Sequence, residues 1–408
     1  MKKTMVCTVA ALAGIAVLGS AGMAQAAPTP IDCSTLPNPV VLYGSTAVKP
    51  VVKTLATTLT NPQVSIIYGS VSSCVGLSDV TTGTADQTAP LYLAADGTTE
   101  TPCTVPTTGF KVDVGISDVY PATCGNITVG SNQKEFLGPV QVMTFDVPKA
   151  STETSISADA GYTVFGFAGQ TYQVTPWIDP TQMFIRVPTS GTINMLGTAI
   201  GLPAAKWLVG SQYDKQRNQG SGGVLSGLQS ATNANAAIGI LAADFADAHR
   251  DTIKILAYQH TNQECGYLPD SDATHFDKIN VRQGRYAIWG PVHMITNVDA
   301  SGKPTNANAA TLLSFFTGSG ITTAQTKAMI TAEAAAYTIP LCAMQVSRTA
   351  EIGAEASYQD PQPCGCFYES LKNGGSAFSS YCKACTADAD CADAGTYTHC
   401  RYGFCEAQ

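Results

Sequence analysis

The sequence predicts an α/β fold arranged in two lobes, followed by a small cysteine-rich module. Three observations carry this. Strand-like and helix-like segments alternate over roughly 300 residues. Several of those strands run into loops of small hydroxyl residues, such as Gly44-Ser45-Thr46 and Thr189-Ser190-Gly191-Thr192. Past Pro361 the composition shifts abruptly to dense cysteine with few aliphatic residues. With 408 residues, 45% of them hydrophobic, the chain can bury more than one core. A charged fraction of 13% and a net charge of −8 argue against nucleic acid or an anionic membrane surface as partner, so any bound anion must be held by local geometry.

In chain order, Lys2 and Lys3, an apolar run from Met5 to Leu18 and the small-residue site Ala24-Gln25-Ala26 read as an export signal, with cleavage expected after Ala26. Cys7 is lost with it, and no later segment has the length of an uncharged membrane-spanning helix. Of the 14 cysteines, 13 remain in what is expected to be an oxidising compartment, six in the body and seven in the tail. The odd counts leave three outcomes open: a free thiol, an intermolecular pair, or a bridge from body to tail.

Val40 to Tyr43 reads as a strand, Gly44 to Thr46 as a turn, and Ala47 to Leu59 as a helix. The next strand, Val64 to Tyr68, meets the hydroxyl cluster Ser70, Ser72 and Ser73. Leu77 to Phe110 shows no helical period and reads as an inserted set of loops with room for a hairpin, tied down by Cys74, Cys103 or Cys124. Lys111 to Ile116 resumes a buried strand with Ser117-Asp118 at its carboxyl end, the edge where open α/β sheets bind ligands. Val140 to Val147 is expected to carry the chain between lobes. Tyr162 to Phe167, Gln170 to Thr175 and Gln182 to Val187 read as strands, and Ile193 to Ile200 as a helix opening at Thr189 or Ser190.

A polar loop, Ser211 to Gln219, leads through Gly220-Ser221-Gly222-Gly223 into a helix ending near Ala231. Ala236 to Leu241 and Ile253 to Tyr258 read as strands, the second returning the chain to the first lobe. Tyr286 to Ile295 is a long apolar strand; Leu312, Leu313, Phe315 and Phe316 mark one helical face, and Thr323 to Tyr337 forms a further helix. The expected division is residues 38–145 and 255–350 for the first lobe, 146–254 for the second, and 361–408 for the module. Within the module, Cys382-x-x-Cys385 and His399 raise zinc, but export and cysteine density favour disulfides.

Arg186 to Thr192, Arg-Val-Pro-Thr-Ser-Gly-Thr, sets a guanidinium ahead of the donors of a helix N-terminus and so reads as an oxyanion cradle; an ordinary helix cap would use the same residues. Gly44-Ser45-Thr46 is a second cradle of that type. With Val112 to Asp118, these motifs resemble those of the periplasmic phosphate-binding proteins of bacterial phosphate ABC transporters, and the resemblance extends over about Val40 to Val346. It implies the two-lobed periplasmic-binding-protein fold of type II, the Venus-flytrap arrangement. It also implies phosphate held by Thr46, Ala47, Ser72, Asp118, Arg186, Ser190, Gly191 and Thr192, with Ser70 the alternative to Ser72 because the usual Ser-Gly-Gly continuation is lacking.

Asp118, an acceptor alone when ionised, would select an anion that still carries a proton, phosphate rather than sulfate. The resemblance implies an ABC permease as a further partner, no cofactor and a monomer in the periplasm or at the cell surface. Cys74, the insertion, the body cysteines and the tail depart from the family pattern. The competing reading is a surface or matrix protein that keeps the fold as a scaffold and interacts through its tail. An enzyme is not indicated, since the sequence has neither His-Glu-x-x-His nor Gly-x-Ser-x-Gly, and His249, His260, His275, His293 and His399 show no ligand spacing.

Overall fold

The computed structural model describes residues 28–60, 64–125, 127–167, 174–210, 213–217, 220–377 and 379–407. The expected export signal lies outside the described residues, as do residues 170–173 of an expected strand and 211, 212, 218 and 219 of the polar loop.

The first lobe opens with β1 (Pro39–Gly44), α1 (Lys49–Ala56), β2 (Ser65–Ser70), α2 (Ser73–Thr82), β3 (Leu91–Leu93), β4 (Glu100–Pro102) and β5 (Val114–Ser117). β1 lies between β2 and β5 and runs parallel to both, so all three carboxyl ends open onto one edge. All four residues of β5 are buried, as expected of an interior strand covered on both faces. β3 and β4 form an antiparallel hairpin on the outer edge, inside the stretch expected to be an insertion.

β6 (Gln133–Pro148) then runs from one lobe into the other. There follow β7 (Ser155–Ser157), α3 (Ala158–Phe167), β8 (Met183–Phe184), α4 (Gly191–Ile200), α5 (Asp214–Arg217), α6 (Ser221–Gln229), β9 (Ile238–Ala242), α7 (Ala243–Asp247), β10 (Ile253–Ile255) and β11 (Ala257–Gln259). β9 pairs with the distal part of β6 and runs parallel to β8. After α8 (Ile279–Arg282), β12 (Trp289–Asn297) lies antiparallel between β5 and the proximal part of β6, and α9 (Ala307–Thr317) and α10 (Thr323–Ala335) follow. α10 starts with a capping box between Thr322 and Gln325. Leu312, Leu313, Phe315 and Phe316 share a buried cluster with Val40, Leu42 and Ile66. The chain is therefore a two-lobed α/β protein whose sheet is continuous through β6.

Two elements differ from expectation. Leu77 to Thr82, read as loop, belongs to α2: Leu77 and Val80, one helical turn apart, pack on Tyr43 and Ile67. The other positions of that helix are mostly Ser, Thr, Gly and Asp, which mask the period. Tyr162 to Phe167, read as strand, closes α3, with Ala158, Gly161, Val164 and Phe165 buried at helical spacing; a six-residue apolar run does not reveal its period.

The last elements are β13 (Val346–Ser347), β14 (Ala356–Ser357), α11 (Gly365–Lys372), β15 (His399–Arg401) and β16 (Phe404–Glu406). Disulfides join Cys33 to Cys103, Cys74 to Cys124, Cys342 to Cys364, Cys366 to Cys382, Cys385 to Cys400 and Cys391 to Cys405. Cys265 is the free cysteine among the described residues. The odd counts thus resolve into a body-to-tail bridge and one exposed thiol. Cys382 and Cys385 enter different bridges, so their spacing does not form a zinc clamp.

The tail is built into the body. Cys364, Phe367 and Tyr368 belong to the largest buried cluster, and Arg282 reaches Glu369 at 2.8 Å with both side chains buried. Glu406 accepts the Cys366 and Phe367 N–H groups at the start of α11.

Candidate functional site

The site grows from five strand ends. In the first lobe, Gly44 has φ +151°, and a Cβ there would fall on the Ile116 carbonyl oxygen, so β1 turns in contact with β5 only as glycine. The turn brings Ser45 to Asp118, with Oγ to Oδ2 at 2.9 Å. Ser73, the first residue of α2, donates its hydroxyl to Asp118 Oδ1. Both carboxylate oxygens of this buried residue therefore accept from serines of neighbouring strand ends.

Ser72 is 3% exposed with its Oγ unpartnered, whereas Ser70 is exposed, so of the two alternatives Ser72 points into the protein. Thr46 is half-buried in the turn before α1. The Ala47 N–H, expected to serve a ligand, donates to Ser45 Oγ at 3.2 Å.

In the second lobe, β8 and β9 are parallel and also end on one edge. Arg186 follows β8 and is 4% exposed; it donates to Ser221 Oγ at the start of α6. Burial lowers its pKa, opposed by the nearby negative charges of Asp118 and Asp244. Ser190 is the N-cap residue of α4 with no side-chain capping bond, and Asn194 holds the turn by donating to the Pro188 and Ser190 carbonyls at 2.8 Å. Thr192 is 1% exposed and its Oγ1 has no partner.

The two edges meet. A Cβ on Gly191 would fall on Asp118 Oδ1 and lie 2.6 Å from Ser73 Oγ. The Cys74 N–H also lies 3.4 Å from the Thr189 carbonyl across the cleft. Glycine at 191 lets the amino end of α4 approach the carboxylate of the opposite lobe. Arg186, Asp118 and the donors of two helix starts thus converge out of water, where charge and hydrogen bonds count most.

The chain is similar in structure to phosphate-transport receptors. A protein from Clostridium perfringens described as a phosphate ABC transporter substrate-binding protein, solved with bound phosphate, shares 16% identity. That likeness covers 74% of this chain and 100% of the other, at a TM-score of 0.48. An ABC-type phosphate transport receptor from Vibrio cholerae shares 15% identity over 74% of this chain and 99% of its own, at 0.43. A DING protein shares 15% identity over 74% and 91%, at 0.48. No family model and no curated protein sequence matches.

Four residues of the site were not singled out from the sequence. Ser45, Ser73 and Ser221 lay inside noted motifs, but no local pattern shows which hydroxyl turns toward Asp118 or Arg186. Asp244 follows β9 at the same kind of strand end as Asp118, so the rule that singled out Asp118 could have found it. It is 4% exposed with Oδ1 unpartnered; burial first, then the charges of Asp118 and Asp247, raise its pKa to about 8.

Proposed function

We propose that this chain is an exported solute-binding protein that holds inorganic phosphate between its two lobes, serving ABC-transporter uptake or phosphate sensing. The observation that carries the reading is the abutment of the Gly191 end of α4 on Asp118, with the Ser72 and Thr192 hydroxyls buried beside it and unpartnered. Buried hydroxyls without partners are costly, and a bound oxyanion would satisfy them. Arg186 compensates charge with a planar fork that fits a tetrahedral oxyanion, and the amino ends of α2 and α4 supply N–H donors and favourable dipoles. Asp118 already accepts two serine hydroxyls and offers its remaining lone pairs to a ligand O–H. Phosphate near neutral pH has that proton and sulfate does not, so Asp118 would discriminate between them.

Six disulfides fit an oxidising compartment, and no helix among the described residues is long and apolar enough to cross a membrane. The arrangement supports binding rather than catalysis, since the cleft sets an acidic acceptor against donors and one cation. In the competing reading of a surface scaffold, the tail would act as a separate interaction unit. The buried Arg282–Glu369 pair and the Cys342–Cys364 bridge favour a structural tail.

The test is calorimetry on phosphate-stripped protein. Phosphate and arsenate are expected to bind tightly and sulfate weakly. Absence of heat with phosphate, or equal binding of sulfate, overturns the reading.

A further inference from the structure

A cavity of about 860 Å³ opens where α9 and α10 meet the tail, lined by residues of β6, α9, α10 and the chain after Ile339 rather than by those of the candidate phosphate site. Its volume is within the usual range of small-molecule sites. Phe315, Phe316, Met329 and Ile330 supply an apolar wall, and Tyr358 and Tyr402 add aromatic rings. Glu333 of α10 also lines it. This residue is 5% exposed, and its carboxyl accepts no hydrogen bond among the described residues. Burial raises its pKa to about 8 with no neighbouring cation to offset it.

A buried, unpartnered carboxyl at the wall of an open cavity is a costly arrangement that an incoming hydrogen-bond donor or cation would relieve. Asp360 lines the same cavity, accepting from Tyr358 and the Gln362 N–H. The cation on that lining, Arg401, donates to the Cys400 carbonyl and lies 3.8 Å from Asp388. Of the nearby lysines, Lys327 sits over the Phe367 ring and Lys372 donates to the Ala334 carbonyl. Two carboxyl groups and several aromatic rings line the cavity, which suits a positive group on an apolar body.

We propose that this cavity binds a small amphipathic cation, an ammonium group attached to an aromatic or branched apolar body, with Glu333 as its counter-ion. The apolar body lies against Phe315, Phe316, Met329 and Ile330. The ammonium meets the Glu333 carboxyl, which loses its proton to solvent as the cation arrives. Binding of an already protonated amine near pH 7 therefore releases a proton.

The experiment uses the full, disulfide-intact chain and three probes of one shape: 2-phenylethylamine, 2-phenylethanol and 3-phenylpropionate. The amine is expected to bind at least roughly tenfold more tightly than the alcohol, with the acid weakest. Calorimetry in buffers of different ionisation heat should show the proton release. Glu333→Gln, which keeps the shape of the protonated acid, should abolish both the preference and the release. Thr326→Trp, filling the cavity from another position on α10, should block the amine while leaving phosphate binding intact. Equal binding of amine and alcohol, no amine binding at millimolar concentration, or a preference that survives Glu333→Gln each overturn the proposal. The amine readouts do not depend on phosphate binding, which is titrated separately.

Discussion

Arg186 and Arg282 are buried to nearly the same degree, 4% and 1% exposed, yet their surroundings differ in kind. Arg282 is enclosed by fixed partners: the Ala343 carbonyl at 2.9 Å, Glu369 at 2.8 Å and the Tyr368 ring. Burial opposes its charge, but the adjacent carboxylate outweighs burial and its pKa is raised. Arg186 lies where burial prevails and its pKa is lowered, in a cleft that also holds the unpartnered Ser72 and Thr192 hydroxyls. The Arg282 site is held by an ion pair, whereas the Arg186 cleft keeps two buried hydroxyls without a partner. A buried arginine is thus no sign of function until its neighbours' hydrogen bonds have been counted.

Glu369→Ala tests the completed site with the largest effect. It strands the Arg282 charge in a dry interior and should cost about 3–5 kcal/mol in chemical denaturation; a loss below 1 kcal/mol would show that the tail is not built into the core. Removing Pro361 to Gln408 should destabilise the body for the same reason, so deletion of the tail cannot separate receptor from scaffold without a stability control.

Gly191→Ala acts on the open site. Its methyl falls on the Asp118 carboxylate and keeps the lobes apart, so phosphate affinity should fall at least a hundredfold, about 2.7 kcal/mol, while thermal stability changes little. Unchanged affinity in calorimetry would mean that this contact is not the binding geometry.

Asp118→Asn should reduce the preference for phosphate over sulfate by roughly tenfold or more, read from paired titrations, because the amide can donate to an unprotonated anion. A preference that stays intact would place the discrimination elsewhere.

The last effect is a slope, small at any one pH step. Asp146, fully buried in β6, has its pKa raised to about 8, chiefly by burial. An acid raised in the folded state favours folding while protonated, and its stabilising effect declines as pH rises from the unfolded value near 4 toward 8. Asp146→Asn should therefore gain stability relative to the parent across that window, on the order of 1 kcal/mol per pH unit. A flat difference between the two denaturation series would contradict the assignment.

Much of the architecture was legible because it rests on local chemistry. Glycine and hydroxyl turns after β-branched runs marked the ends of β1 and β5, and Ser190 caps α4 where Thr189 or Ser190 was expected. α2 and the end of α3 were misread, since a short helix rich in small residues and a six-residue apolar run carry too little period to identify themselves.

The sequence by itself determined the α/β alternation, the donor-rich strand ends, the small glycine at 191 and the odd cysteine counts, all properties of neighbouring residues or of totals. Only the tertiary structure decided that Ser45 and Ser73 meet Asp118, that the Ala47 N–H serves Ser45, that Asp244 lies within electrostatic reach of Arg186, and that Cys342 bridges to the tail. These relations link positions far apart in the chain. They depend on the angle at which two lobes close and on which of several adjacent hydroxyls turns inward, and no local pattern encodes either.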